Sequence, residues 1–186
     1  MLKTFSLDEM LEIWKNNLGI LEDDCGCIVT RHDGDSLHKL LIRNIRSWYA
    51  TLLRTKNPAL LPIEDLRSEA DVNTENDNCL AITPPQRGVR LLSVKLTDWD
   101  IHLGTVAAAD SDIARLQASH HFAATPRRPV VIFDGSRYLL YGLKTDITYI
   151  KNPALLLESL IMVAAPSDSD TFTLDESLLS TIPAKL

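Results

Sequence analysis

Hydrophobic positions fall into two rhythms along this chain, a helical one near the N-terminus and an alternating one in the second half. Leu7, Met10, Leu11, Trp14 and Leu18 recur at three- and four-residue spacing, which places them on one face of a helix. Ser6 and Glu9 form a capping box at its start, each positioned to satisfy a backbone amide of the other. A first helix is predicted from about residue 7 to 18, before Gly19. A second stripe, Leu37, Leu40, Leu41, Ile45, Trp48 and Leu52, predicts a helix over about residues 36–55. Asp33-Gly34-Asp35-Ser36 supplies its N-cap and Asn57-Pro58 ends it. Burying the two stripes against each other predicts an αα-hairpin. Residues 20–35 between them are turn-rich, consistent with a loop or a short edge strand at CIVT.

Residues 57–87 contain four prolines and an acidic, polar middle from Glu64 to Asn78. They are expected to form either an extended connection of the kind that a partner orders, or a surface loop around a short strand at Cys79–Thr83. From Gly88 the pattern changes. GVRLLSVKL carries Val89, Leu91 or Leu92, Val94 and Leu96 as a strand, and a short helix follows from Asp110 or Ser111 to His120, with Ile113 and Leu116 inward. RPVVIFDGSRYLLYGLKTDITYIKNP then predicts strands near 130–134, 137–142 and 145–151. Asp134-Gly135 makes the first turn, since Gly supplies the positive φ a tight hairpin needs. After a polar linker at 166–170, Thr173 and Glu176 read as a second capping box, so a C-terminal helix is expected near residue 174, truncated or kinked at Pro183.

The expected fold class is therefore α+β: an N-terminal helical hairpin, a small antiparallel β-domain and a short C-terminal helix. A chain of 186 residues suits a single domain that buries roughly 70% of its unfolded surface. Within it, 1–56 is the helical part, 57–87 the extended connection, 88–165 the β-rich part, and 166–186 the linker and last helix. A hydrophobic content of 45% with 24% charged residues is ordinary for a globular domain. No apolar run approaches the roughly 20 residues that span a bilayer. Asp8, Glu9 and Glu12 interrupt the N-terminus where a signal peptide would be apolar, and an unsecreted protein is the resulting expectation.

Candidate chemistry is sparse. Cys25, Cys27 and Cys79 make an odd count, which argues for reduced thiols over a disulfide framework. Cys25-Gly26-Cys27 matches neither redox nor zinc-knuckle spacing, so His32 and Cys79 are not expected to complete a metal site with it. The adjacent pair His120-His121 points in two directions on any regular element. Asp98, Asp100 and His102 alternate, so on a strand they would share a face as an acid/base or metal-binding row, or as ordinary solvent-facing side chains. No phosphate-binding loop, dinucleotide fingerprint, zinc-protease helix or nucleophile elbow occurs. Trp14, Trp48 and Trp99 fall on or beside inward stripes and read as core.

A net charge of −6 speaks against a general nucleic-acid-binding surface, which needs clustered cations. Two local basic groups remain. Lys39, Arg43 and Arg46 share the second helix, while Arg87, Arg90, Arg127 and Arg128 flank the β region. These seven are the candidates for contact with an acidic partner, against the plainer reading of solvated surface charge.

The order of the segments SLDEMLEIWKNNLGI, HKLLIRNIRSWYATLL, the proline-rich connection, RPVVIFDGSRYLLYGLKTDITYIKNP and FTLDESLLSTI resembles the neck, ring and tail-adaptor proteins of tailed bacteriophages. The best match is the hairpin followed by ITYIKNP and then a capped helix about twenty residues later. The resemblance implies a structural virion protein, located in the virion and in the host cytoplasm during assembly. It implies a cyclic homo-oligomer, a dodecamer among its candidate sizes, that contacts portal and tail proteins while DNA passes through its lumen without specific binding. It implies no membrane association, no cofactor, no metal and no catalytic residue. A soluble bacterial binding module is the alternative, followed by a metal-dependent enzyme built on Asp98, Asp100 and His102.

Overall fold

The computed structural model describes residues 1–19, 34–76, 78–119, 121–144 and 150–183. It is a mixed α+β fold of several mostly antiparallel sheets and few helices. The chain forms two compact units, the first from Met1–Pro62 with Ala165–Leu186 and the second from Ile63–Ala164.

The first unit begins with strand β1 (Leu2–Ser6), which leads directly into helix α1 (Leu7–Asn17). The expected capping box is present. The Glu9 amide donates to the Ser6 hydroxyl at 3.2 Å, and the Ser6 amide donates to the Glu9 carboxylate at 2.7 Å. Helix α2 (Gly34–Thr55) follows. Met10, Leu11 and Trp14 of α1 and Leu41, Ile45 and Leu52 of α2 are buried, as the stripes predict, while Tyr49 and Leu53, outside the predicted stripe, are buried too, and Leu7, Leu18, Leu40 and Trp48 are half-buried. The rings of Trp14 and Trp48 meet edge to face at 6.2 Å.

The C-terminal helix expected near residue 174 is not what forms. Strand β10 (Thr171–Asp175) pairs antiparallel with β1, from Leu2 opposite Asp175 to Ser6 opposite Thr171. Its TFTLD sequence alternates, with Phe172 and Leu174 buried, and a strand satisfies that period where a helix would not. The cap belongs to Asp175, whose carboxylate accepts from the Ser177 amide at 3.1 Å and opens a 3-10 turn, Glu176–Thr181.

In the second unit the stretch expected as an extended connection contributes three strands: β2 (Ile63–Asp65), β3 (Asp71–Asn76) and β4 (Cys79–Thr83). The last lies where the short strand was expected. Four of its five residues, Cys79 to Ile82, are buried, which gives the segment a core role that its polar flanks conceal. Strand β5 (Gly88–Leu96) follows the predicted run, then the two-residue β6 (Ala107–Ala108) and helix α3 (Asp112–Leu116), shorter than expected, with Ile113 and Leu116 exposed and not inward. The anticipated hairpin is β7 (Val130–Phe133) and β8 (Tyr138–Tyr141), with Gly135 at φ +102°. The third strand expected at 145–151 lies largely outside the described residues.

Strand β9 (Leu157–Ala164) is central to a three-stranded sheet ordered β2-β9-β5. The chain thus enters and leaves this unit on paired strands, with Ile63 opposite Val163. A five-stranded sheet runs β3-β4-β8-β7-β6. One core, including Leu80, Ile82, Val94, Leu96, Leu140 and Leu160, holds the unit together, with all six excluded from solvent. Burial of this kind contributes about 1.5–3 kcal/mol per large apolar side chain. Among the described residues, no helix is long and apolar enough to cross a membrane.

Candidate functional site

Within the second unit, strand β5 ends at Leu96, and the Trp99 amide donates to the Leu96 carbonyl at 3.0 Å to turn the chain. Asp98 and Asp100 therefore lie on a turn and not on a strand. This corrects the expectation that Asp98, Asp100 and His102 share a strand face. His102 lies instead by its Nδ1 against the Ser93 hydroxyl at 3.4 Å.

The turn is held by polar contacts to the segment after β8. The Trp99 indole N–H donates to the Gly142 carbonyl at 3.0 Å, in a buried environment. The Lys144 amide donates to the Asp98 carboxylate at 2.9 Å. Beside them the Asn78 side chain accepts from the Leu143 amide at 2.9 Å and donates to the Ala124 carbonyl at 3.5 Å. A second tight turn faces this segment: Thr125 and Arg128 exchange backbone hydrogen bonds at 3.2 and 2.8 Å, which leaves Pro126 and Arg127 at the tip.

These pieces enclose a cleft of about 510 Å³ lined by Asp98, Asp100, Thr125, Pro126, Arg127 and Lys144. Two residues of the acidic row thus meet one residue of the basic clusters, while His102 is not part of the lining. Thr125, Pro126 and Lys144 were not anticipated. The signal for them is the Tyr141-Gly142 break after a strand, where a positive φ turns the chain. The lining supplies two carboxylates, two cations and a hydroxyl, groups suited to recognising a ligand that carries both signs of charge.

The other basic candidates are distributed differently. Lys39, Arg43 and Arg46 are exposed at successive turns of α2, and Arg46 pairs with Asp170 at 2.8 Å. Arg87 is committed to the fold of its unit. Its guanidinium holds Glu69 through two bonds of 2.6 and 2.8 Å and reaches Glu64 at 2.6 Å. Such a fork matches a carboxylate in geometry as well as charge. The hydrogen bonds to Glu69 and then to Glu64 raise the Arg87 pKa, and the same guanidinium lowers that of Glu69. Arg90 is half-buried on β5, and Arg127 and Arg128 are exposed.

Cys79 is buried in β4, and burial pushes its thiol up to about 11, so it stays protonated at neutral pH and is a poor nucleophile or metal ligand. Cys25, Cys27, His32 and His120 lie outside the described residues. Among the described residues, no group of three or more His, Cys, Asp and Glu side chains is arranged to hold a metal ion. Compared with known proteins, the chain matches no protein-family model, no curated protein and no solved structure.

Proposed function

We propose that this chain is a structural virion protein of a tailed phage or prophage, forming a ring in the neck between portal and tail. The observation that carries the reading is the element order. A capped N-terminal helix and a longer second helix precede a β-rich segment containing the Asp134-Gly135 hairpin, and the chain then closes on a capped C-terminal segment. Apart from β1 at the start and β10 where the resemblance implies a C-terminal helix, this is the order in which the sequence resembles neck and tail-adaptor proteins. In this reading the N-terminal helices pair as a hairpin, the ring is a cyclic homo-oligomer, its partners are portal and tail proteins, and DNA passes through the lumen. An acidic balance of −6 suits a conduit that must not retain a polyanion.

Electron microscopy of the concentrated protein tests the proposal. Annular particles with an open centre support it. A field of compact particles of monomer size counts against it.

One observation favours a second reading. The cleft at Asp98, Asp100, Arg127 and Lys144 is the equipment of a soluble binding module, which would act as a monomer on a charged ligand. Calorimetric titration with short peptides carrying both charges distinguishes the two, because saturable binding to a stable monomer belongs to the module and not to the ring.

A further inference from the structure

The outer faces of the helices of the first unit carry pairs of like charge, acidic on α1, where half-buried Lys15 follows one turn beyond Glu12, and basic on α2. On α1, Asp8 and Glu12 are exposed one turn apart, on the side away from the buried Met10, Leu11 and Trp14. On α2, Lys39 and Arg43 are exposed one turn apart, away from the buried Leu41, Ile45 and Tyr49. Neighbouring charges on either helix are already engaged: Glu9 closes the capping box with Ser6, and Arg46 pairs with Asp170.

We propose that the Asp8–Glu12 face of α1 docks on the Lys39–Arg43 face of α2 in a second copy of this chain. Both pairs have i, i+4 spacing, so the two acidic and the two basic side chains are spaced alike along their helices, with about 5–6 Å between Cβ atoms in each pair. Two different faces of one molecule meet in this contact. It is head to tail, and a head-to-tail contact closes into a ring when the rotation between copies divides a full turn. Exposed pairs of this kind set partner choice and encounter rate more than affinity, and salt screens them. The proposal rests on the ring reading and names one of its interfaces.

The test is sedimentation velocity at low salt on the wild type, a Lys39→Glu/Arg43→Glu variant, an Asp8→Asn/Glu12→Lys variant, and an equimolar mixture of the two variants. Circular dichroism melts check that each variant folds. Should a reversal unfold the protein, Arg43→Gln and Glu12→Gln replace it, each expected to flatten the dependence of association on salt. The wild type assembles, each variant alone associates about tenfold more weakly, and the mixture recovers assembly because each acidic face again finds a basic one. Variants that assemble like the wild type overturn this interface and leave the ring reading intact. Variants that fail alone and stay dissociated when mixed overturn the pairing of these two faces. A wild type that stays monomeric at every concentration overturns both.

Discussion

The hydroxyl of Tyr49 donates to the Thr173 carbonyl at 2.9 Å and accepts from the Thr173 amide at 3.1 Å. One side chain of α2 thereby satisfies both backbone groups of Thr173, on the side of β10 that β1 does not pair. The ring of Tyr49 also meets Phe172 edge to face at 5.2 Å. Tyr49→Phe keeps the ring and leaves two backbone groups without a partner, so it should cost about 1–3 kcal/mol, measured by urea denaturation.

Burial pushes the Tyr49 phenol up to about 12, which fixes the sign of a second effect. Folding raises this pKa above its ordinary value of about 10. Its contribution to stability is fully present below pH 10 and lost as pH rises toward 12. Denaturation between pH 8 and 12 should show a decline that is weaker in Tyr49→Phe.

Gly142 has a φ of +100°, and a Cβ there would stand 2.7 Å from the Thr125 carbonyl oxygen. Both the backbone conformation and the close approach exclude a side chain. Gly142→Ala should destabilise the protein by about 2 kcal/mol or more and displace the turn that presents Arg127. Thermal melting checks the first effect. Faster amide exchange at Arg128, which donates to Thr125, checks the second.

At the hairpin, the amides of Ser136 and Arg137 hold the Asp134 carboxylate down at about 2, at distances of 3.0 and 2.7 Å. Folding lowers this pKa from about 3.9. Its contribution to stability is present above pH 4 and lost as pH falls through 2. Asp134→Asn should therefore be less stable than wild type at pH 7 by an amount that shrinks toward zero below pH 3. Paired denaturation curves across that range decide it.

Local signals in the sequence were reliable where the structure is local. Ser6 with Glu9, helices α1 and α2, the GVRLLSVKL strand and the Asp134-Gly135 turn all form where their spacing predicts, though the buried face of α2 also takes in Tyr49 and Leu53. Elements fixed by distant partners were not legible. Strand β1 exists because Thr4 pairs with Thr173, at the far end of the chain, and LKTFS alone gives no sign of it. Strand β9 went unread because LESLIMVA is a short apolar run lying between two strands, which has no helical or alternating period to read.

At the C-terminus, Thr173 and Glu176 imitate a capping box, but Phe172 and Leu174 alternate into the core and win. The cleft was half legible. Asp98 and Asp100 stand out as part of one row and Arg127 as part of a separate basic cluster, and the turn that brings them together is tied by the Trp99 to Gly142 hydrogen bond, which no spacing encodes. Arg46 is tied to Asp170 within its own unit, so a reversal there would break an existing ion pair, and Lys39 with Arg43 are the cleaner probes of assembly.

The function proposed above is that of a closed ring. Multi-angle light scattering of the purified wild type across a concentration series measures it most directly. The account predicts a single large mass, an integral multiple of the 20.8 kDa chain, that persists over a range of concentrations because closure leaves no open end. A mass of one chain at every concentration, in low and moderate salt, would contradict it.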